Sequence, residues 1–329
     1  MASARLLFAE SVGNGATYDP TSRHRRRLPC GLRRLAARDL LATCSLKHGP
    51  SRLLVDTDTD ECWPSLKARL ARLPVVDGTR HIDLAVITHI DHDHIGTAGL
   101  MLSDTSLGLK FGDIWFNAPP QPEARGVKEG RTLASILGGT HAKLPWNLAW
   151  CGKPAVTTTD MPFMELPANS DMPKISLLSP NPQSLATLFQ VWDADLKKLG
   201  KSETPPAEPP ARRGGPLDLE ALANKITATD RAPANGSSIA ILLEHRGASV
   251  LLCADAHPTV LAPALRALAV HRRLPAPLQF DIVKLSHHGS RANVTLDLML
   301  AAEAKHYIVS TNGAIFGHPN DEAMARLIL

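Results

Sequence analysis

Residues 82–96 read Ile82-Asp83-Leu84-Ala85-Val86-Ile87-Thr88-His89-Ile90-Asp91-His92-Asp93-His94-Ile95-Gly96. The apolar run from Ile82 to Thr88 predicts a buried strand, and the six residues that follow it hold three histidines and two aspartates. Imidazoles and carboxylates at alternate positions can converge on a cation. His89 and Asp91, two apart on an extended chain, point to one side, while Asp93 and His94 turn toward a second ion. Asp and His are also ordinary loop residues, and Asp caps helices. Four such residues together, directly behind an apolar strand, favour the metal reading.

Strands and helices alternate on both sides of this segment. Arg52 to Asp56 reads as a strand and Trp63 to Leu73 as a helix stopped by Pro74. Gly96 to Leu102 begins a helix, and Asp113 to Asn117 reads as another strand. The stretch from 118 to 175 is punctuated by prolines and carries one helix, Val127 to Leu137. Lys174 to Leu178 is strand-like, and Pro182 to Leu199 is helical, with Leu185, Leu188, Phe189, Trp192 and Leu196 on one face. Residues 200–216 then hold five prolines and three glycines and no large apolar residue, the composition of a flexible linker. Beyond Ser237 the pattern is regular again. Strands are expected at Ser238–Glu244, Ser249–Cys253, Phe280–Leu285 and His306–Ser310, with helices at Pro258–Leu268, Val294–Glu303 and Asn320–Leu329. Strands joined by crossover-length helices imply a layered α/β fold.

The chain has 329 residues, 44% hydrophobic and 21% charged, a composition that excludes a disordered or collagen-like polymer. No apolar run approaches the ~20 residues of a bilayer span, and Met1 to Gly15 lacks a secretory pattern, so a cytoplasmic location without membrane association is expected. Five cysteines without a CxxC pair argue against a disulfide framework or a zinc knuckle. Net charge is +4, yet residues 1–40 alone carry eight Arg against Glu10, Asp19 and Asp39. That basic segment reads either as a phosphate-contacting arm or as a solvated one.

His89-Ile-Asp91-His-Asp93-His94 resembles the second motif of the metallo-β-lactamase fold superfamily, HxHxDH, in the HxDxDH variant of DNA-uptake competence proteins and related hydrolases. Other landmarks follow in the same order. Leu54-Val55-Asp56 is similar to the strand ending in Asp that precedes the motif. Leu251-Leu252-Cys253-Ala254-Asp255 resembles the strand that delivers a metal-bridging aspartate, and Asp281 to Ser290 carries a competence-type HHGS signature at His287-His288-Gly289-Ser290. Asn235-Gly236-Ser237-Ser238 and Gly317-His318-Pro319 also resemble motifs of that branch. The likeness covers residues 50–105 and 235–328. It departs at Thr57-Asp58-Thr59-Asp60, where a glycine is usual, at Asp91 in place of a histidine, and in lacking an evident histidine ligand before Asp255; His141 matches no motif.

The resemblance implies an α/β fold of the four-layer αββα kind, with two metals at one edge of the sheets. A hydrolase domain would span 51–329, carry a large insertion at about 118–234, and follow a basic segment with the first strands at 1–50. His89, Asp91, Asp93, His94, Asp255 and His288 are the implied ligands. His287 is expected as proton donor or phosphate contact, Gly289, Ser290 and Asn235 as substrate contacts, and His318 as a ligand, a phosphate contact or a plain helix-entry turn. Asp91, Asp93 and Asp255 bring three negative charges against the four positive charges of two divalent ions, so one bridging hydroxide would neutralise the set. Mixed oxygen and nitrogen donors suit zinc first and manganese second. Cys253 reads as a small buried hydrophobe and His257 as lying behind the ligands. The expected activity is hydrolysis of a phosphodiester in nucleic acid or a nucleotide. Lactone, thioester or β-lactam hydrolysis, and a non-catalytic metal-containing module that binds nucleic acid or a partner, are the alternatives; the oligomeric state is open. Deleting Lys201 to Gly215 is expected to leave the melting temperature nearly unchanged in a thermal scan, because the stretch holds no apolar anchor.

Overall fold

Two β-sheets organise the chain in the computed structural model, which describes residues 7–8, 31–35, 40–46, 49–119, 128–139, 144–166, 173–194, 217–311 and 317–329, those before Ser51 by backbone alone. The five-stranded sheet contains β1 (Leu7–Phe8), β3 (Leu40–Leu46), β4 (Gly49–Val55), β5 (Arg80–Val86) and β6 (Leu109–Trp115), in that order. Its strands β4, β5 and β6 run parallel, and β3 and β4 form an antiparallel pair. The seven-stranded sheet has the order β2 (Gly31–Leu35), β12 (Ala302–Ser310), β11 (Leu278–Lys284), β10 (Ala248–Leu252), β9 (Ala240–His245), β8 (Lys174–Ser179) and β7 (Met164–Glu165). Here β2, β12, β11 and β10 are mutually parallel. Strands β9 and β10 are joined by Arg246-Gly247, both at positive φ, the backbone a two-residue hairpin turn of matching twist requires.

The helices are α1 (Trp63–Ala71), α2 (His92–Ile95), α3 (Ala98–Ser103), α4 (Lys128–Gly138), α5 (Pro182–Ala194), α6 (Leu219–Asn224), α7 (Pro233–Gly236), α8 (Pro258–Arg272), α9 (Leu296–Met299) and α10 (Asp321–Ile328). Strand alternation sorts the apolar side chains into three clusters. Leu54, Ile82, Ala85 and Ile114 pack against Leu66 and Leu70 of α1, Met101 of α3, Leu133 of α4 and Trp192 of α5. Leu242, Leu251 and Val283 pack against Leu261, Leu265 and Leu268 of α8 and Ala323 of α10. The third cluster takes Leu53, Val55, Leu84, Val86 and Trp115 from one sheet and Ile175, Leu177, Ile241, Val250 and Leu252 from the other. Each sheet is therefore apolar on both faces, which is why its strands read as continuous hydrophobic runs.

Most expected elements appear within a few residues of their predicted ends. One does not. The helix expected at Val294–Glu303 is the single turn α9, capped by the Thr295 hydroxyl, and β12 begins at Ala302. Registry with β11, where Leu278 faces Ala302 and Phe280 faces Ala304, overrides the helix propensity of Ala301, Ala302 and Ala304. Strands β2 and β3 lie within the first 50 residues and are part of the two sheets, so a domain boundary at residue 50 would cut the hairpin of β3 and β4. The 200–216 linker, His141, the arginine run Arg23 to Arg27 and the end of the helix expected to reach Leu199 lie outside the described residues. Among the described residues no helix is long and apolar enough to cross a membrane.

Candidate metal centre

Parallel strands deliver their carboxyl ends to one edge, the usual place for ligands in α/β folds. Asp56 follows β4, Thr88 to His94 follow β5, Asp255 follows β10, and His287 and His288 follow β11. Their turns are tight. Asp56, Asp58, Ala254, His287 and His288 all hold left-handed backbone, at φ 59°, 62°, 47°, 45° and 56°. Such backbone costs a non-glycine residue of order 1 kcal/mol, and it concentrates where side chains must be aimed. The missing glycine after Asp56 is explained here, since aspartate tolerates this conformation better than most residues. Gly96 is required for space: a Cβ there would lie 2.8 Å from the carbonyl oxygens of both Asp58 and His92.

Buried acceptors tie the Nδ1 side of each histidine. Asp56 Oδ2 lies 2.7 Å from His94 Nδ1 and accepts from the Thr88 hydroxyl at 3.0 Å, while the Thr88 amide donates to Asp56 Oδ1. The Thr88 hydroxyl is also 3.0 Å from His89 Nδ1. The Ser310 carbonyl lies 2.6 Å from His288 Nδ1. These contacts leave the Nε2 atoms turned inward, around the Asp255 carboxylate. From Asp255 Oδ2, His94 Nε2 is 3.4 Å away, His288 Nε2 3.7 Å, His287 Nε2 3.8 Å and His89 Nε2 4.0 Å. Asp93 Oδ2 is 3.3 Å from His288 Nε2, and Asp91 Oδ2 is 3.5 Å from His89 Nε2.

Two groups have the spacing of metal ligands: His89, His94 and Asp255, all buried, and Asp93, His94 and His288. His89 Nε2 and Asp255 Oδ1 are buried without a hydrogen-bond partner. Orphaned polar atoms are costly in a folded interior, and a cation among them would satisfy both. The donor set of imidazole nitrogens and carboxylate oxygens fits a divalent transition metal. Electrostatics point the same way. Burial opposes a charge on His94, but Asp255, Asp56 and Asp93 outweigh it and raise its pKa well above the usual value. Burial likewise opposes a charge on Asp255, yet His94, His287 and His288 hold it well below the carboxylate range. For His288 burial prevails and lowers the pKa. The edge is thus rich in negative charge, which favours a cation there.

Asp91, expected as a ligand, lies at the rim with its side chain 43% exposed and joins neither group. His287 also lies outside both groups; its Nδ1 is 3.3 Å from Asp230 Oδ2 and 3.0 Å from Asn293 Oδ1. Burial works against its protonated form, but Asp255 and Asp230 raise its pKa to about 9. His318 stacks edge-on beside His287, ring centres 5.5 Å apart, and belongs to neither group. Asn235 is buried and donates its amide to Asp230 Oδ2 at 2.7 Å. The Ser290 amide donates to the His287 carbonyl and its hydroxyl accepts from the Ala292 amide, so both shape the turn. Gly289, at φ 80°, supplies the backbone freedom that turn needs, with Pro319 closely packed on it. His257 lies behind the site, its Nε2 3.0 Å from the Ala232 carbonyl. Burial pushes the Cys253 thiol up to about 12, which leaves it inert. Among the described residues no histidine between His94 and Asp255 enters either group.

Sequence reasoning missed Asp230 and Asn293. Asp230 sits between the proline-rich stretch and Pro233, where polar residues look like loop, and Asn293 follows the HHGS signature by three residues, yet its side chain is wholly buried.

Replacing Asp56 by Ala is expected to weaken metal binding roughly 10- to 100-fold by freeing His94 and Thr88, measured by competition with a chelator. Because the metal must displace the proton that His94 retains above its usual pKa, affinity is expected to rise from about pH 6 to about pH 8; zinc titrations across that range check the sign. No family model matches the chain and no curated protein matches it.

Proposed function

We propose that the chain is a hydrolase dependent on two divalent cations, built on the metallo-β-lactamase plan its motifs resemble and acting on phosphodiesters of nucleic acid or nucleotides. The three apolar clusters support the four-layer αββα arrangement, with helices outside each sheet and a shared interior between them. The observation that carries the function is the convergence of inward-facing Nε2 atoms on one buried carboxylate, each imidazole fixed from behind by its own acceptor. Metal-binding histidines are held in this manner.

Asp93, His94 and His288 would hold one ion, and His89 and Asp255 the other. One Nε2 lone pair serves one ion, so with His94, common to both groups, in the first set, Asp91, 3.5 Å from His89 Nε2, would complete the second from the rim. Zinc is the first choice and manganese the second. Bound there, divalent ions would acidify water to a pKa of about 7 and neutralise anionic substrate oxygens. The protein's own part is to exclude water from one side, to orient these donors, and to present His287 as the proton donor for the leaving group. The basic balance of residues 1–40 and the HHGS signature favour a phosphate substrate over an amide.

Elemental analysis of purified protein is expected to find zinc or manganese, and bis(p-nitrophenyl) phosphate to be hydrolysed faster than a lactone or nitrocefin. Hydrolysis of the latter two alone would replace the phosphodiester reading. Asp93→Asn is expected to lower turnover at least 100-fold and to reduce the occupancy of one ion while circular dichroism stays unchanged.

A further inference from the structure

Arg326, on the C-terminal helix α10, is buried 93% of the way, being only 7% exposed. Every N–H of its guanidinium has an acceptor. Nε donates to the Ala223 carbonyl at 3.2 Å, Nη1 to the carbonyls of Arg291 and Val294 at 2.7 and 3.0 Å, and Nη2 to the Lys225 carbonyl and Thr227 hydroxyl at 2.8 and 2.9 Å. All of these acceptors lie on two segments, 223–227 and 291–294. The first runs on to Asp230 and the second contains Asn293. These two residues place their oxygens against His287 Nδ1.

The segments are sewn together again beyond the arginine. The Thr227 hydroxyl donates to the Arg291 carbonyl, and the Asp230 amide donates to the Ala292 carbonyl. Asn293 then gives its amide to Asp230 Oδ2 at 2.9 Å and turns its Oδ1 to His287 Nδ1 at 3.0 Å. Two acceptors, Asn293 Oδ1 at 3.0 Å and Asp230 Oδ2 at 3.3 Å, face His287 Nδ1. The Asn235 amide, 3.4 Å away, gives its hydrogen to Asp230 Oδ2 at 2.7 Å, so the closer acceptors favour a proton on Nδ1 and leave Nε2 directed at the centre. None of the groups held by Arg326 is a metal ligand.

We propose that Arg326 is a positioning residue for His287: by clamping the loops that carry Asp230 and Asn293, it makes the C-terminal helix part of the proton-donating machinery, independently of metal binding. The proposal rests on the function proposed above for His287, but its test includes a readout that does not depend on turnover. In protein labelled with nitrogen-15 histidine, His287 Nδ1–H is expected to give a downfield proton signal protected from exchange, assigned by its loss in His287→Gln. Arg326→Lys is expected to abolish that protection and to lower kcat for the phosphodiester roughly tenfold, at unchanged KM and unchanged metal content. Asp230→Asn should do the same, and the double variant should lose no more than Asp230→Asn alone, because the two act in series. A protected signal surviving Arg326→Lys would overturn the proposal, as would additive losses in the double variant or metal lost along with the signal. Failure of wild-type protein to cleave any phosphodiester would instead refute the proposed function, leaving the clamp to be judged by the protected proton.

Discussion

Asp255 is a carboxylate buried at a sheet edge, with four histidine Nε2 atoms within 4.0 Å of one of its oxygens. Burying a charge is expensive unless it is paired and hydrogen-bonded, and one of its oxygens has no hydrogen-bond partner. The surrounding architecture is arranged to make this tolerable. Parallel strands from two sheets bring separate stretches of chain to the same edge, and left-handed turns at Asp56, Ala254, His287 and His288 aim the side chains there. Folding energy comes from the apolar clusters on either side of the sheets; the polar edge uses some of it.

The centre has a division of labour among its histidines. His94 is tied to a carboxylate, His89 to a hydroxyl and His288 to a backbone carbonyl, while His287 faces a carboxylate and an amide oxygen together. Each of these partners orients its imidazole and raises its basicity, a charged carboxylate more than a neutral oxygen, so His94 and His287 are the two with the strongest support. Behind His287 the network continues through Asp230 and Asn293 to Arg326, so the last helix bears on the site although it contributes no group to it.

The sequence was most legible where local chemistry is dense. The strand and turn around His89 to His94, the aspartate after β10 and the paired histidines after β11 announce themselves because an apolar run ends in residues that have no reason to cluster otherwise. In the Val294–Glu303 segment the alanines favour helix, whereas pairing with β11 decides its end. The hydrogen bonds that Ser290 makes within its turn are visible only when folded. Asp230 carried no signal, because a lone carboxylate in a loop is indistinguishable from a solvated one until its neighbours are known.

What the linear chain settled by itself was the alternating α/β character and the candidate donors, since hydrophobic period and residue type are local properties. Only the folded molecule decided that His94 stands between two candidate ligand groups, that Asp91 lies at the rim, and that His287 answers to Asp230. Those outcomes depend on distances between residues far apart in sequence, and such distances are fixed by how the two sheets pack and where their parallel strands end.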